Sequence, residues 1–153
     1  MQDELARLKV LHDELGNLPM FPELIETLVR EDRNVFRYRM EEGVSEATDL
    51  LTVPGLISCA DWFNSAGAKF GKHAHKEKEW LLVYVGEIHL WYIECGVEHH
   101  KVLFPGDSHY NNPRAVHWAE FPIDTRYLAI TIPDSPDWPK ARRSIGGEDG
   151  KWK

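Results

Sequence analysis

The stretch Gly67-Ala68-Lys69-Phe70-Gly71-Lys72-His73-Ala74-His75-Lys76-Glu77-Lys78-Glu79-Trp80-Leu81-Leu82-Val83-Tyr84-Val85-Gly86 decides how the chain is read. His73 and His75 are two apart, so on a strand both imidazoles point to the same face. Glu79 follows a short polar connection, Lys76-Glu77-Lys78, and opens a second β-prone run with Leu81, Val83 and Val85 on its own side. Two antiparallel strands joined this way bring two imidazoles and a carboxylate together at a barrel mouth. That mix of nitrogen and oxygen donors suits Mn, Fe, Co, Ni, Cu or Zn, and not Ca. His117 comes 38 residues after Glu79, with Ala115, Ala119 and Phe121 as its strand-face neighbours. An inward histidine of that kind is either core or ligand; beside a ready set of donors it becomes a candidate ligand.

The flanking sequence has the same texture. Phe36, Tyr38 and Met40 alternate with Arg37 and Arg39, the pattern of a strand with one wet face. Short β-prone runs then recur near 48–53, 56–63, 68–75, 79–85, 87–93, 97–104, 108–111, 115–121 and 125–132, with Gly, Pro, Asn and Asp between them. Many short strands at even spacing, without long helices between them, indicate a mainly β, antiparallel sandwich or barrel rather than βαβ units. Upstream the period changes. Leu5, Leu8, Leu11, Leu15 and Leu18 predict an amphipathic α-helix, and a second helix is predicted from Pro22 with Phe21, Leu24, Ile25, Leu28 and Val29 on one stripe. The leucine run either packs on the protein's own body or pairs with a second protomer as a short coiled coil. The expected organisation is a helical appendage over 1–33, a β-barrel over 34–133 and a flexible Pro-, Gly- and charge-rich tail over 134–153.

At 153 residues, 42% hydrophobic and 28% charged, the chain is of ordinary globular composition, which argues against disorder and low-complexity architectures. A net charge of -7 argues against nucleic acid or an anionic membrane surface as partner. No apolar run approaches the roughly 20 residues of a membrane span, and the N-terminus has no signal-peptide pattern. Cys59 and Cys95, 36 residues apart and outside any C-x-x-C spacing, read as reduced thiols of a cytoplasmic protein, with a single disulfide as the other reading.

Gly67, five residues, His73-x-His75, three residues, Glu79, six residues and Gly86 together resemble the first signature of the cupin superfamily at every fixed position. The second signature is met less fully. Pro105-Gly106-Asp107 matches its opening turn, but Asn112-Pro113-Arg114 replaces the Pro-x-Gly before the histidine, and Phe121 stands where the family has Asn. The resemblance covers roughly residues 35 to 133. It implies a conical double-sheet β-barrel of jelly-roll type holding one divalent transition metal (Fe, Mn, Ni, Zn or Cu), with His73, His75, Glu79 and His117 as ligands. It also implies pairing of two chains sheet to sheet, so a homodimer is expected.

Three further residues are candidates for the pocket. Lys69 shares strand parity with His73 and would hold a substrate carboxylate, unless it is a solvated edge lysine. Tyr127 is placed inward and Arg126 outward, because Ala129 and Thr131 suit a pocket wall. His109 reads as an acid/base, as a partner to a metal ligand, or as a strand-edge histidine. Trp80 and Trp118 each follow a candidate ligand and so point away from the metal face, and Trp91 is grouped with them. Two functions fit these residues. The first is a small metal-dependent enzyme of dioxygenase, isomerase, lyase or decarboxylase type, acting on a small oxygen-rich molecule. The second is a non-catalytic module that binds a small molecule and signals through its N-terminal helices or a partner.

Overall fold

A computed structural model describes residues 24–39 and 42–133, so the predicted first helix and the C-terminal tail lie outside the described residues. The described chain forms β1 (Leu24–Arg30), β2 (Arg33–Arg39), β3 (Val44–Val53), β4 (Ile57–Asn64), β5 (Lys69–His73), β6 (Lys78–Val85), β7 (Ile88–Glu94), β8 (Val97–Leu103), β9 (Ser108–Asn111), β10 (His117–Glu120) and β11 (Thr125–Ile132). A seven-stranded sheet has the order β1-β2-β3-β4-β11-β6-β9, and a four-stranded sheet the order β5-β10-β7-β8. Every pairing is antiparallel. No helix among these residues is long and apolar enough to cross a membrane.

The core lies between the sheets and follows from period-two alternation. Along β4 every second residue is buried, Ala60 and Trp62 among them, while Asp61 and Phe63 face out. Tyr38, Trp62, Tyr127 and Phe121 form a continuous stack, with centroid separations of 5.4, 6.3 and 5.9 Å. Burying each such ring contributes roughly 1.5–3 kcal/mol. Phe121, at the position where the signature it resembles has Asn, therefore serves the core: it is 1% exposed and meets Phe70 edge-on at 5.7 Å. A bulge between Arg126 and Tyr127 turns Val85 outward, against the inward position its parity predicts.

The predicted second helix is corrected over its described part: residues 24–30 form β1, not a helix. The spacing of Leu24, Ile25, Leu28 and Val29 fits both periods, and β-branched Ile25, Thr27 and Val29 favour the extended one. The decisive element is the turn. Arg30 pairs with Arg33, and Glu31 and Asp32 between them adopt φ of 51° and 60°, a two-residue hairpin of type I′. The usual Asn-Gly signal is absent, so the hairpin does not announce itself in the sequence. Arg37 on β2 then ties β1 and β3 together, bonding Glu26 at 2.6 Å and Glu46 at 2.8 Å.

The β6–β7 hairpin depends on Gly86, whose φ is +86°. A Cβ there would lie 2.4 Å from the Asp124 carbonyl oxygen and 2.5 Å from Thr125 Oγ1. Both the backbone conformation and the space therefore require glycine. Gly86→Ala is expected to lower stability by at least about 2 kcal/mol. Urea unfolding checks this; an unchanged midpoint would show that the hairpin is not held by this approach.

Candidate metal centre

His73 ends β5, His75 follows it in the β5–β6 connection, Glu79 is the second residue of β6, and His117 is the first of β10. Strand register brings them together from both sheets. His117 pairs directly with His73 across β10 and β5, and Glu79 stands between Thr131 on β11 and Asn111 on β9. The three imidazoles each offer a ring nitrogen, and these atoms lie within 4.8 Å of one another. His75 and His117 Nε2 are 3.7 and 3.6 Å from Glu79 Oε1.

Backbone carbonyls fix the rings. His73 Nδ1 donates to Gly71 O at 2.7 Å, His75 Nδ1 to Glu77 O at 3.1 Å, and His117 Nδ1 to Ala115 O at 2.9 Å. A carbonyl only accepts, so Nδ1 carries a proton, and in the neutral ring each Nε2 presents a lone pair. The Nε2 atoms of His75 and His117 are buried and have no hydrogen-bond partner. The loop that delivers His117 is tied to His75, since Arg114 N donates to His75 O at 2.6 Å. Arg114 has φ +63°, the left-handed conformation a glycine would adopt freely. The position that departs from the cupin signature thus takes the backbone shape a glycine favours.

Glu79 is anchored from behind. Asn111 Nδ2 donates to Glu79 Oε1 at 2.8 Å, and Asn111 Oδ1 accepts from His109 Nε2 at 3.0 Å. Asn111 and His109 are 1% and 6% exposed. His109 thus reaches the Glu79 carboxylate through Asn111. Neither Asn111 nor buried Glu77, whose Oε2 lies 3.8 Å from His75 Nδ1, was picked out from the sequence. The available signal was His109-x-Asn111, which on a strand sends both side chains to one face.

Lys69 does not face the pocket. A β-bulge in the β5–β10 pairing places Ala119 opposite Phe70 while His117 is opposite His73, so Phe70 and His73, three apart, both face inward. Lys69 is turned to the outer face, 54% exposed and 3.5 Å from Glu120. Tyr127 faces inward and Arg126 outward beside Asp61, as expected from parity. Thr131, however, is the β11 residue opposite Glu79. Tyr127 lies four residues away, roughly 13 Å along the strand, within the aromatic stack. Trp91 and Trp118 stack at 6.2 Å on the outer side of the four-stranded sheet, with Lys72 4.4 Å above Trp118.

Fold and site together define a double-sheet β-barrel with a histidine cluster between its sheets. Solved structures with this architecture include an RmlC-like cupin from Shewanella frigidimarina NCIMB 400 (22% identity, TM-score 0.58, covering 76% of this chain and 97% of that one). KdgF from Halomonas sp. is similar at 17% identity and TM-score 0.57, over 67% of this chain and 91% of that one. A predicted oxalate decarboxylase from Thermotoga maritima matches at 20% identity and TM-score 0.53, over 73% of this chain and 92% of that one. No protein-family model and no curated protein matches the sequence. The fold of the chain is that of these cupin structures.

The electrostatics are those of a crowded, dry cluster. Burial, and then His117, push the His73 imidazole down to about 3. Burial, and then Lys101, push His109 down to about 4. For Glu79 burial works upward, but His75 and His117 outweigh it and hold the carboxyl well below its usual range. For His75 burial works downward, and Glu79 and Glu77 outweigh it, so its pKa is raised. Unfolded, the histidines titrate near 6.5. Below that pH the unfolded chain takes up protons that folded His73 and His109 refuse, which favours unfolding. Glu79 adds to the loss below its unfolded value of about 4.3. His75 opposes both: its stabilisation is present below about 6.5 and is lost as pH rises through its folded pKa. The melting temperature of metal-free protein is therefore expected to fall from pH 6.5 towards 4, and His109→Phe should flatten that slope. A melting temperature that climbs steadily on acidification would contradict this account.

Proposed function

We propose that the protein is a metal-dependent enzyme in which His73, His75, Glu79 and His117 hold one divalent transition metal and the substrate is a small, oxygen-rich organic molecule. The observation that carries this reading is the pair of orphaned Nε2 atoms on His75 and His117, both buried and both beside Glu79 Oε1. A buried polar atom left unsatisfied costs about 1–3 kcal/mol. Nitrogen lone pairs and a carboxylate converging on one point are satisfied together by a cation. Four protein donors leave positions open on a metal of five- or six-fold coordination, the condition for a catalytic site. A metal held there supplies Lewis acidity to a bound oxygen.

The chain's own residues prepare that site. Backbone carbonyls at Gly71, Glu77 and Ala115 hold the imidazoles in one tautomer. Asn111 fixes the Glu79 carboxylate, and His109 fixes Asn111. Free thiols at Cys59 and Cys95 fit the cytoplasmic setting expected from the sequence. Association of two chains belongs to the same reading, since Leu82 and Tyr84, each 42% exposed, leave an apolar outer face on the seven-stranded sheet.

Elemental analysis of untagged protein is expected to find about one equivalent of a first-row divalent metal per chain, absent from a His73→Ala, His75→Ala double variant. No metal in the wild type after exposure to each ion would remove the enzyme reading. Asn111→Leu frees Glu79 and should weaken metal affinity by roughly 10- to 100-fold. Competition with a chromophoric chelator measures this, and an affinity equal to wild type would mean that Glu79 needs no support from Asn111.

A further inference from the structure

The barrel is not closed all round. Among the described residues β9 is one edge of the seven-stranded sheet and β8 one edge of the four-stranded sheet, and in the seam between them lies a cavity of about 420 Å³. That volume is within the roughly 300–1,000 Å³ typical of small-molecule sites. Its lining includes Tyr92, Glu94, Lys101, His109 and Asn111. It adjoins the histidine cluster through register: Asn111 is the direct cross-strand neighbour of Glu79, and Tyr92 that of His117. Directly opposed side chains on neighbouring strands have Cβ atoms about 5 Å apart.

The hydrogen-bond chain determines what this cavity offers. The Glu79 carboxylate can only accept, so the Asn111 amide must turn its NH2 towards it. The Asn111 carbonyl then faces His109 Nε2, which must be the protonated nitrogen. His109 Nδ1 is left as a lone pair, and no described residue donates to it. Lys101 is the second feature. It pairs with Leu90, a core residue, so its side chain lies on the inner face of β8. Its ammonium is 5.7 Å from the Tyr92 ring centroid, and among the described residues no carboxylate forms an ion pair with it. Glu94 lines the same cavity and accepts from Asn112 Nδ2 at 3.5 Å. One free cation, one carboxylate and one bare acceptor do not suit a dianion. They suit a single negative charge accompanied by a hydroxyl.

We propose that the seam between β8 and β9 binds a small hydroxy-monocarboxylate, its carboxylate on Lys101 Nζ and its hydroxyl donating to His109 Nδ1. This names the substrate class of the metal centre and rests on that reading for the chemistry, though not for binding. Titration of the full chain, metal-loaded and metal-stripped, with glycolate, acetate and ethylene glycol tests it by calorimetry. Saturable glycolate binding is expected, with acetate and ethylene glycol each weaker by roughly tenfold or more. Lys101→Met should weaken glycolate by a similar factor in the metal-stripped protein, and Lys101→Arg should restore part of it. Glycolate affinity unchanged in Lys101→Met, acetate equal to glycolate, or no saturable glycolate binding by the wild type would each overturn the proposal. Metal content read on the same samples separates the two claims. One equivalent of metal with lysine-independent glycolate binding removes the cleft alone; lysine-dependent binding in a chain that takes no metal supports the cleft and removes the metal centre.

Discussion

A carboxylate buried against imidazole nitrogens is the constraint on which the rest of the molecule turns. Glu79 cannot shed its charge cheaply, because His75 and His117 hold it ionised, and it cannot be left without donors in a dry interior. Asn111 supplies one donor at 2.8 Å. That bond fixes the amide, the amide fixes the His109 tautomer, and the tautomer leaves one ring nitrogen free to receive a proton donor. One ionised group thus dictates the hydrogen-bond polarity of a line of side chains from the cluster to the edge of the sheet.

The fold exists around that line in a specific sense. Glu79 and Asn111 meet only if β6 and β9 pair in this register, and a slip of one residue would turn both to the opposite face. The histidines need different devices. His73 reaches the interior through a bulge that breaks the parity of β5, and His75 through a connection pinned by Arg114. The cluster therefore sits where regular pairing gives way on one sheet and holds firm on the other. Such a junction keeps each donor in place while leaving room beside it.

Much of this was legible in the sequence, and the failures have physical causes. The period-two runs, the turn glycines and the His-x-His…Glu spacing all depend on local geometry, so β2 to β11 and the clustered donors could be read directly. The inward position of Tyr127 followed from parity, and its distance from Glu79 did not, because register between β6 and β11 is not encoded locally. Of the two readings of Lys69, the structure gives the solvated edge lysine; parity alone left the pocket open as well, since a bulge is a tertiary event without a signature in Lys69-Phe70-Gly71. Residues 24–30 were misread because their apolar spacing satisfies two periods, and the turn that decides between them uses Glu31-Asp32 in place of Asn-Gly. Asn111 went unnoticed because an asparagine acquires meaning only from what stands opposite it.

The open seam is best understood through the cost of closing it. Free sheet edges invite pairing with other chains, and a barrel could remove two of the four here by joining β8 to β9. Here the edges are protected by other means: β9 is only four residues long, and β8 carries Glu98, His99, His100 and Lys101. His99 and Lys101 both contact Tyr92, the first by stacking at 5.1 Å and the second by cation–π contact. Closing the seam would require the inner faces of β8 and β9 to be apolar and to approach across the space now lined by Lys101 and His109. Those residues are poor core formers and good ligand contacts. Double-sheet barrels of this kind leave such edges unclosed; what distinguishes this one is its place, with Asn111 of β9 the direct cross-strand neighbour of Glu79, where the proposed cleft needs access.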